Sequence, residues 1–196
     1  MRSATGSKNS NAKRRRIGLI AATALPCAFS AAAAEILESD VRHNDGRYTV
    51  HFDVRLDAPP DKLRPHLTDY ANYAKHAKSI TESTVLGKMP SGATRIRLRL
   101  RSCFLFFCRN ATMVKDITEQ PDGTIQAQVD PALSDFRETT EQWRLTAEGN
   151  RTRLQYRAEL TPTFYVPPLI GPWILKRRMR ELLEINATKF ETLAHE

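Results

Sequence analysis

Strict two-residue alternation constrains this chain more than any other feature. From Arg47 to Asp57, Tyr48, Val50, Phe52, Val54 and Leu56 share one face, while Thr49, His51, Asp53, Arg55 and Asp57 share the other. Successive side chains of a strand point to opposite sides, so the pattern predicts a strand with one wet face. Ala58-Pro59-Pro60-Asp61 ends it and opens a short helix through Leu67, and Asp69 to Tyr73 starts a second short helical turn. Ser79 to Lys88 reads as a weaker strand. Ile96, Leu98 and Leu100 alternate with Arg95, Arg97, Arg99 and Arg101, an arginine ladder that suits a solvated outer face. Ile125, Ala127 and Val129 continue the apolar face beyond the Pro121-Asp122-Gly123 turn, and Trp143 and Leu145 mark the next strand. After the Gly149-Asn150 turn, Leu154, Tyr156, Ala158 and Leu160 alternate with polar residues until Pro162.

The period then changes. From Trp173 to Ala194, Leu175, Met179, Leu182, Leu183, Phe190 and Leu193 fall at helical spacing, enough for about six turns. The order is one strand, two short helices, six more antiparallel strands and one long helix. That is an α+β order in which a curved seven-stranded antiparallel sheet wraps around a long C-terminal helix. A hollow between helix and sheet is the expectation such an arrangement raises.

Charge points away from nucleic acid. The 196 residues carry a formal +8, but the first 34 hold six cations (Arg2, Lys8, Lys13, Arg14, Arg15 and Arg16) and no carboxylate. The remaining 24 cations against 22 carboxylates leave only +2, too little excess for a phosphate polymer. Residues 1–34 read as a signal peptide: a cationic start at Lys13 to Arg16, an apolar stretch from Ile17 to Ser30, and small residues Ala31 to Ala34 before Glu35. The apolar stretch is shorter than the roughly 20 residues that span a bilayer. A secreted, periplasmic protein of residues 35–196 is expected, by the general secretory route or a twin-arginine one.

Cleavage would leave Cys103 and Cys108 in a compartment that permits disulfides. Residues five apart on one strand sit about 16 Å apart, whereas a disulfide tolerates about 7 Å between Cα atoms. The chain must therefore reverse at Phe104 to Phe107. Pairing Cys103 with Cys108 makes partners sum to 211 and sets Arg95 opposite Asp116. A loop this short contributes roughly 2 kcal/mol in the chain-entropy model. Reactive thiols or a metal pair are the alternatives to this clamp.

Catalytic motifs are missing. The sequence has no GxSxG elbow, no HExxH, no phosphate-cradling glycine loop, and five scattered histidines. No metal and no cofactor is expected.

The Phe52 to Pro60 strand running into Asp61-Lys62-Leu63, the Leu67-Thr68-Asp69-Tyr70 junction, Ser134-Asp135-Phe136-Arg137 before Trp143, and Tyr165 to Pro172 before the final helix carry a resemblance. Over Arg47 to Ala194 the chain resembles the SRPBCC superfamily, with its START-like or helix-grip fold, and in particular the polyketide cyclase and coenzyme Q-binding branch. The resemblance implies a deep apolar cavity under the last helix for a lipid, quinone or polyketide-like molecule. It implies either a carrier or a cyclase or hydrolase using the same cavity.

Two candidate sites follow. If Trp143 and Leu145 face inward, parity turns Arg137, Thr139 and Glu141 inward too, and these with Tyr156 and Met179 form the candidate ligand-binding set. A bulge would instead send the polar ones to solvent. The loops Cys103 to Cys108, Asp130 to Asp135 and Phe164 to Pro172 should share one end of the sheet, the cavity mouth. Phe104, Leu105, Phe106 and Phe107 in one loop, and Tyr165, Leu169, Ile170 and Trp173 in or beside another, are unusually apolar for loop tips. They either contact a membrane surface or fold inward as a cap. Lys176 and Arg177, in the first turns of the last helix, would meet anionic headgroups in the first case.

Overall fold

The computed structural model describes residues 34–104, 107–166 and 171–195, with Phe104 and Phe107 described by their backbone alone. Of the expected leader, only Ala34 lies among the described residues. Leu105, Phe106, Leu169 and Ile170 lie outside them, as do the side chains of Phe104 and Phe107.

Among the described residues the sheet has eight strands, one more than the alternation predicts. The added strand β1 (Glu35–Asn44) forms a hairpin with β2 (Arg47–Leu56), and it begins at the residue after the expected cleavage point. Its turn is Asp45-Gly46, with φ of 48° and 79°. Positive φ at both central residues is the turn whose twist matches paired strands. β1 escapes pattern reading because it is a charged edge strand with a register shift between Ile36 and Glu38, which breaks its alternation. Beyond it, β2 behaves as its sequence requires: Tyr48, Val50, Phe52, Val54 and Leu56 are all buried.

Pro60 opens α1 (Pro60–Thr68) at its first turn, where a missing N–H costs nothing. The helix buries Leu63 and Leu67, and a 3-10 turn at Tyr70–Asn72 leads into α2 (Tyr73–His76). The strands β3 (Ile80–Lys88), β4 (Thr94–Phe104), β5 (Phe107–Glu119), β6 (Ile125–Val129), β7 (Phe136–Glu148) and β8 (Arg151–Pro162) then meander antiparallel. In space the order is β1-β2-β8-β7-β6-β5-β4-β3.

The cysteine register holds. Cys103 and Cys108 are bonded, with Cα atoms 4.0 Å apart. Pairing runs from Phe104 opposite Phe107 down to Arg95 opposite Asp116. The loop expected at Phe104 to Phe107 thus shrinks by one pair. Arg95 donates to both carboxylate oxygens of Asp116, at 2.7 and 2.9 Å, and also lies 3.1 Å from Asp130. Arg97 and Arg99 share Glu82, so three rungs of the arginine ladder are paired on the outer face.

The long helix α3 (Gly171–Ala194) makes its main contacts with β1, β2, α1 and α2. Leu175, Met179 and Leu183 pack on Val41, Tyr48, Val50 and Ala158. Leu183, Ala187, Phe190 and Ala194 reach the larger core around Leu63 and Ile96. Near its end, buried Glu191 accepts the Asp57 N–H at 2.7 Å, tying the helix to the end of β2. Among the described residues no helix is long and apolar enough to cross a membrane.

Two outer-face aspartates are among the carboxyls whose pairing favours the folded state at neutral pH. Arg153 donates to Asp53 at 2.6 Å, with Gln155 adding a bond, and together they hold that carboxyl below its usual range; Arg95 does the same for Asp116. A carboxyl depressed in the folded state contributes stability that is complete above the unfolded value near ~4 and disappears as pH falls through the folded value. The melting temperature should therefore be level above about pH 5 and drop below about pH 4. Thermal melts from acid to neutral pH check this, and Arg153→Gln should shrink the drop.

Candidate functional site

The inner face of the sheet carries a charged pair at its centre. Lys115 on β5 and Glu141 on β7 place Nζ 2.7 Å from Oε2, and each side chain is only 5% exposed. Backbone pairing sets Glu141 beside Ala127 on β6 and Ala158 on β8, both facing the core. Lys115 Nζ also lies 5.1 Å from the centre of the Trp143 ring, a cation–π distance. Trp143 pairs across the strands with Tyr156, ring centres 5.1 Å apart.

Burial, reinforced by the negative charge of Glu141, pushes the Tyr156 phenol well above its ordinary value. It stays a neutral donor. Tyr73 on α2 is raised in the same way, first by burial and then by neighbouring charges that include Glu141, and its hydroxyl donates to the Leu67 carbonyl. Tyr48, under α3, has a buried hydroxyl with no partner among the described residues.

The wall around this centre is apolar and incompletely covered. Trp143, Leu145, Tyr156, Leu160, Leu183 and Phe190 pack on the core yet are only half-buried. Residues on the core side of a sheet stay reachable only where space is left in front of them. The helix supplies the reason, since its main contacts are at the β1–β2 edge and the short helices and not over β5 to β7. A groove of about 560 Å³ crosses the opposite face, lined largely by Thr49, His51, Gln126, Gln128, Gln142 and Arg157. Its lining carries hydrogen-bonding side chains and no large apolar one, so an oily molecule has little to pack against there.

Of the expected ligand-binding residues, Thr139 and Glu141 are buried on the inner face and Trp143 and Tyr156 line it, while Met179 approaches from α3. Arg137 does not join them. A register shift between Phe136 and Glu138 turns Phe136 into the core and leaves Arg137 exposed, as an extra residue in a strand must. Lys115 was missed. Its parity with Met113 and Ile117 places it inward, and partners summing to 211 set it opposite buried Ile96, but a lysine in a strand reads by habit as solvent-facing.

At the expected mouth, Asp135 joins three elements. It accepts the Thr112 N–H at 2.6 Å through its side chain and the Thr163 N–H at 3.0 Å through its carbonyl. The Arg109 guanidinium sits 5.1 Å over the Phe164 ring, which meets Phe136 edge-on. The β4–β5 hairpin, the β6–β7 connection and the end of β8 therefore share one end of the sheet. Tyr165 is 80% exposed and Trp173 60% exposed there, and Arg177 approaches the Trp173 ring at 5.8 Å. Arg177 and Arg178 both pair with Glu181, while Lys176 is half-buried. Among the described residues no cluster of His, Cys, Asp and Glu could hold a metal.

Residues 47–193 match the family model described as polyketide cyclase/dehydrase and lipid transport. The chain belongs to this family. The family span begins at β2, leaving β1 outside it. Solved structures similar to this chain share its START-like fold. A START superfamily protein from Mycobacterium smegmatis is 18% identical over 75% of this chain and 97% of its own, with a TM-score of 0.61. A STAR-related lipid transfer protein from Xanthomonas axonopodis is 15% identical over 84% and 100%, with a TM-score of 0.58. The Zhui aromatase/cyclase from Streptomyces sp. R1128 is 16% identical over 76% and 91%, with a TM-score of 0.52. No curated protein matches the chain.

Proposed function

We propose that this protein is an exported carrier that binds a hydrophobic small molecule between α3 and the inner face of the sheet and exchanges it at a membrane surface. The supporting observation is the half-buried apolar wall from Trp143 to Phe190 on the core side of a START-like sheet. Apolar surface left in water costs about 25 cal/mol per Å², so a wall of this kind favours an apolar occupant. The mouth residues fit the exchange step: exposed Tyr165 and Trp173 beside Arg109 and Arg177 combine interfacial aromatics with cations, the pairing that suits an anionic headgroup layer. Export rests on the leader pattern of residues 1–34 and agrees with the disulfide.

A second reading is supported by the polar centre. Lys115, Glu141 and the neutral Tyr156 phenol are groups through which a cyclase could hold and polarise a flexible polyketide-like substrate. Turnover of such a compound would favour it over the carrier.

Loading from vesicles tests the carrier. Mature protein incubated with anionic vesicles and re-isolated should carry one apolar molecule per chain in native mass spectrometry. Tyr165→Ser/Trp173→Ser should slow loading more than tenfold without changing the final occupancy, since each exposed aromatic contributes about 1 to 2 kcal/mol at an interface. Protein that stays empty after incubation overturns the carrier reading.

A further inference from the structure

The carrier reading says only that the cargo is apolar; the charges at the centre say what its head must be. Lys115 on β5 and Glu141 on β7 meet across β6 on an inner face where Ile117, Ile125, Ala127 and Val129 are also buried. A buried pair is seldom retained for stability, because well-packed apolar residues often serve equally well. Its presence in the wall of a ligand space therefore calls for another role. The two charges cancel at 2.7 Å. A third charge brought beside them would enter a low-dielectric space with no counterion, a cost of several kcal/mol.

Resting on the carrier reading, we propose that the site selects apolar molecules with an uncharged oxygen head, a hydroxyl or a ketone or quinone carbonyl, and rejects carboxylates and phosphates. The donors and acceptors match such a head. The Lys115 ammonium has N–H groups beyond the one given to Glu141. Glu141 keeps a second carboxylate oxygen, and Tyr156 makes no hydrogen bond among the described residues while remaining protonated. A carbonyl oxygen accepts from Lys115 or Tyr156, and a hydroxyl also donates to Glu141. The half-buried Trp143 and Tyr156 rings are the nearest part of the wall that such a head could reach.

Competition against a neutral apolar fluorophore tests this with hexadecanol and palmitate, which share chain length and differ in head charge. Wild-type mature protein should bind the alcohol at least tenfold more tightly at neutral pH. Glu141→Gln leaves the lysine charge uncompensated and should reverse the order. Lys115→Met/Glu141→Leu removes both charges, and should keep fluorophore binding while weakening the alcohol at least tenfold. Equal affinities in wild type, or an unchanged preference in both variants, would overturn the head-group assignment and leave the carrier standing. If neither compound nor the fluorophore binds wild-type protein, the carrier reading falls with it.

Discussion

Lys115→Met should lower the melting temperature by roughly 6 to 20 °C, whereas Lys115→Met/Glu141→Leu should restore most of the loss. The single change strands Glu141, a side chain 5% exposed, without its counterion. Breaking a buried pair from one side costs about 3 to 5 kcal/mol, and a domain of this size loses about 2 to 4 °C per kcal/mol. In the double variant the carboxylate has gone as well, and two apolar side chains join Ile117, Ala127 and Val129 on a face already apolar. Removing both partners together is typically neutral or stabilising. Paired melts of the two variants, with circular dichroism to confirm the fold, decide the matter. If the double variant is as unstable as the single one, the pair is a structural element and its retention needs no ligand. If the single variant melts like wild type, the pair is solvated and cannot select a head group by charge.

The same two residues show what pattern reading delivers and where it stops. Alternation placed β2, β4, β6, β7 and β8 because each has an apolar face toward the core, and a side-chain period of two cannot slip by one residue without exposing that face. The cysteine spacing fixed the β4–β5 register down to Arg95 and Asp116, since a disulfide leaves no freedom in which residues lie opposite. Glu141 came inward with Trp143 by parity alone. Arg137 did not, because the shift between Phe136 and Glu138 depends on how β7 meets β8, and no residue type announces a bulge. Lys115 was within reach of the same parity. Recognising it required accepting a charge in the core, which makes sense only once its partner two strands away is known. β1 was lost because its one clear signal, Asp45-Gly46, links a strongly alternating strand to an edge strand whose charges mask the pattern.

Leu183→Trp should abolish ligand binding, lowering affinity at least a hundredfold, while shifting stability by less than about 1 kcal/mol. Leu183 packs against both apolar clusters from α3 and is itself only half-buried. The effect on stability distinguishes the two possible interiors. In a close-packed core the larger indole has nowhere to go, and overpacking costs about 1 to 3 kcal/mol. In a space kept open for cargo the indole lies against Tyr156 and Leu160, gains apolar contact, and takes the volume the ligand would use. Chemical denaturation and fluorophore titration on the same preparation read both quantities. Lost binding with retained stability is the signature of a filled hollow; lost stability with retained binding would mean that the interior is solid at Leu183 and that the cargo, if any, lodges elsewhere.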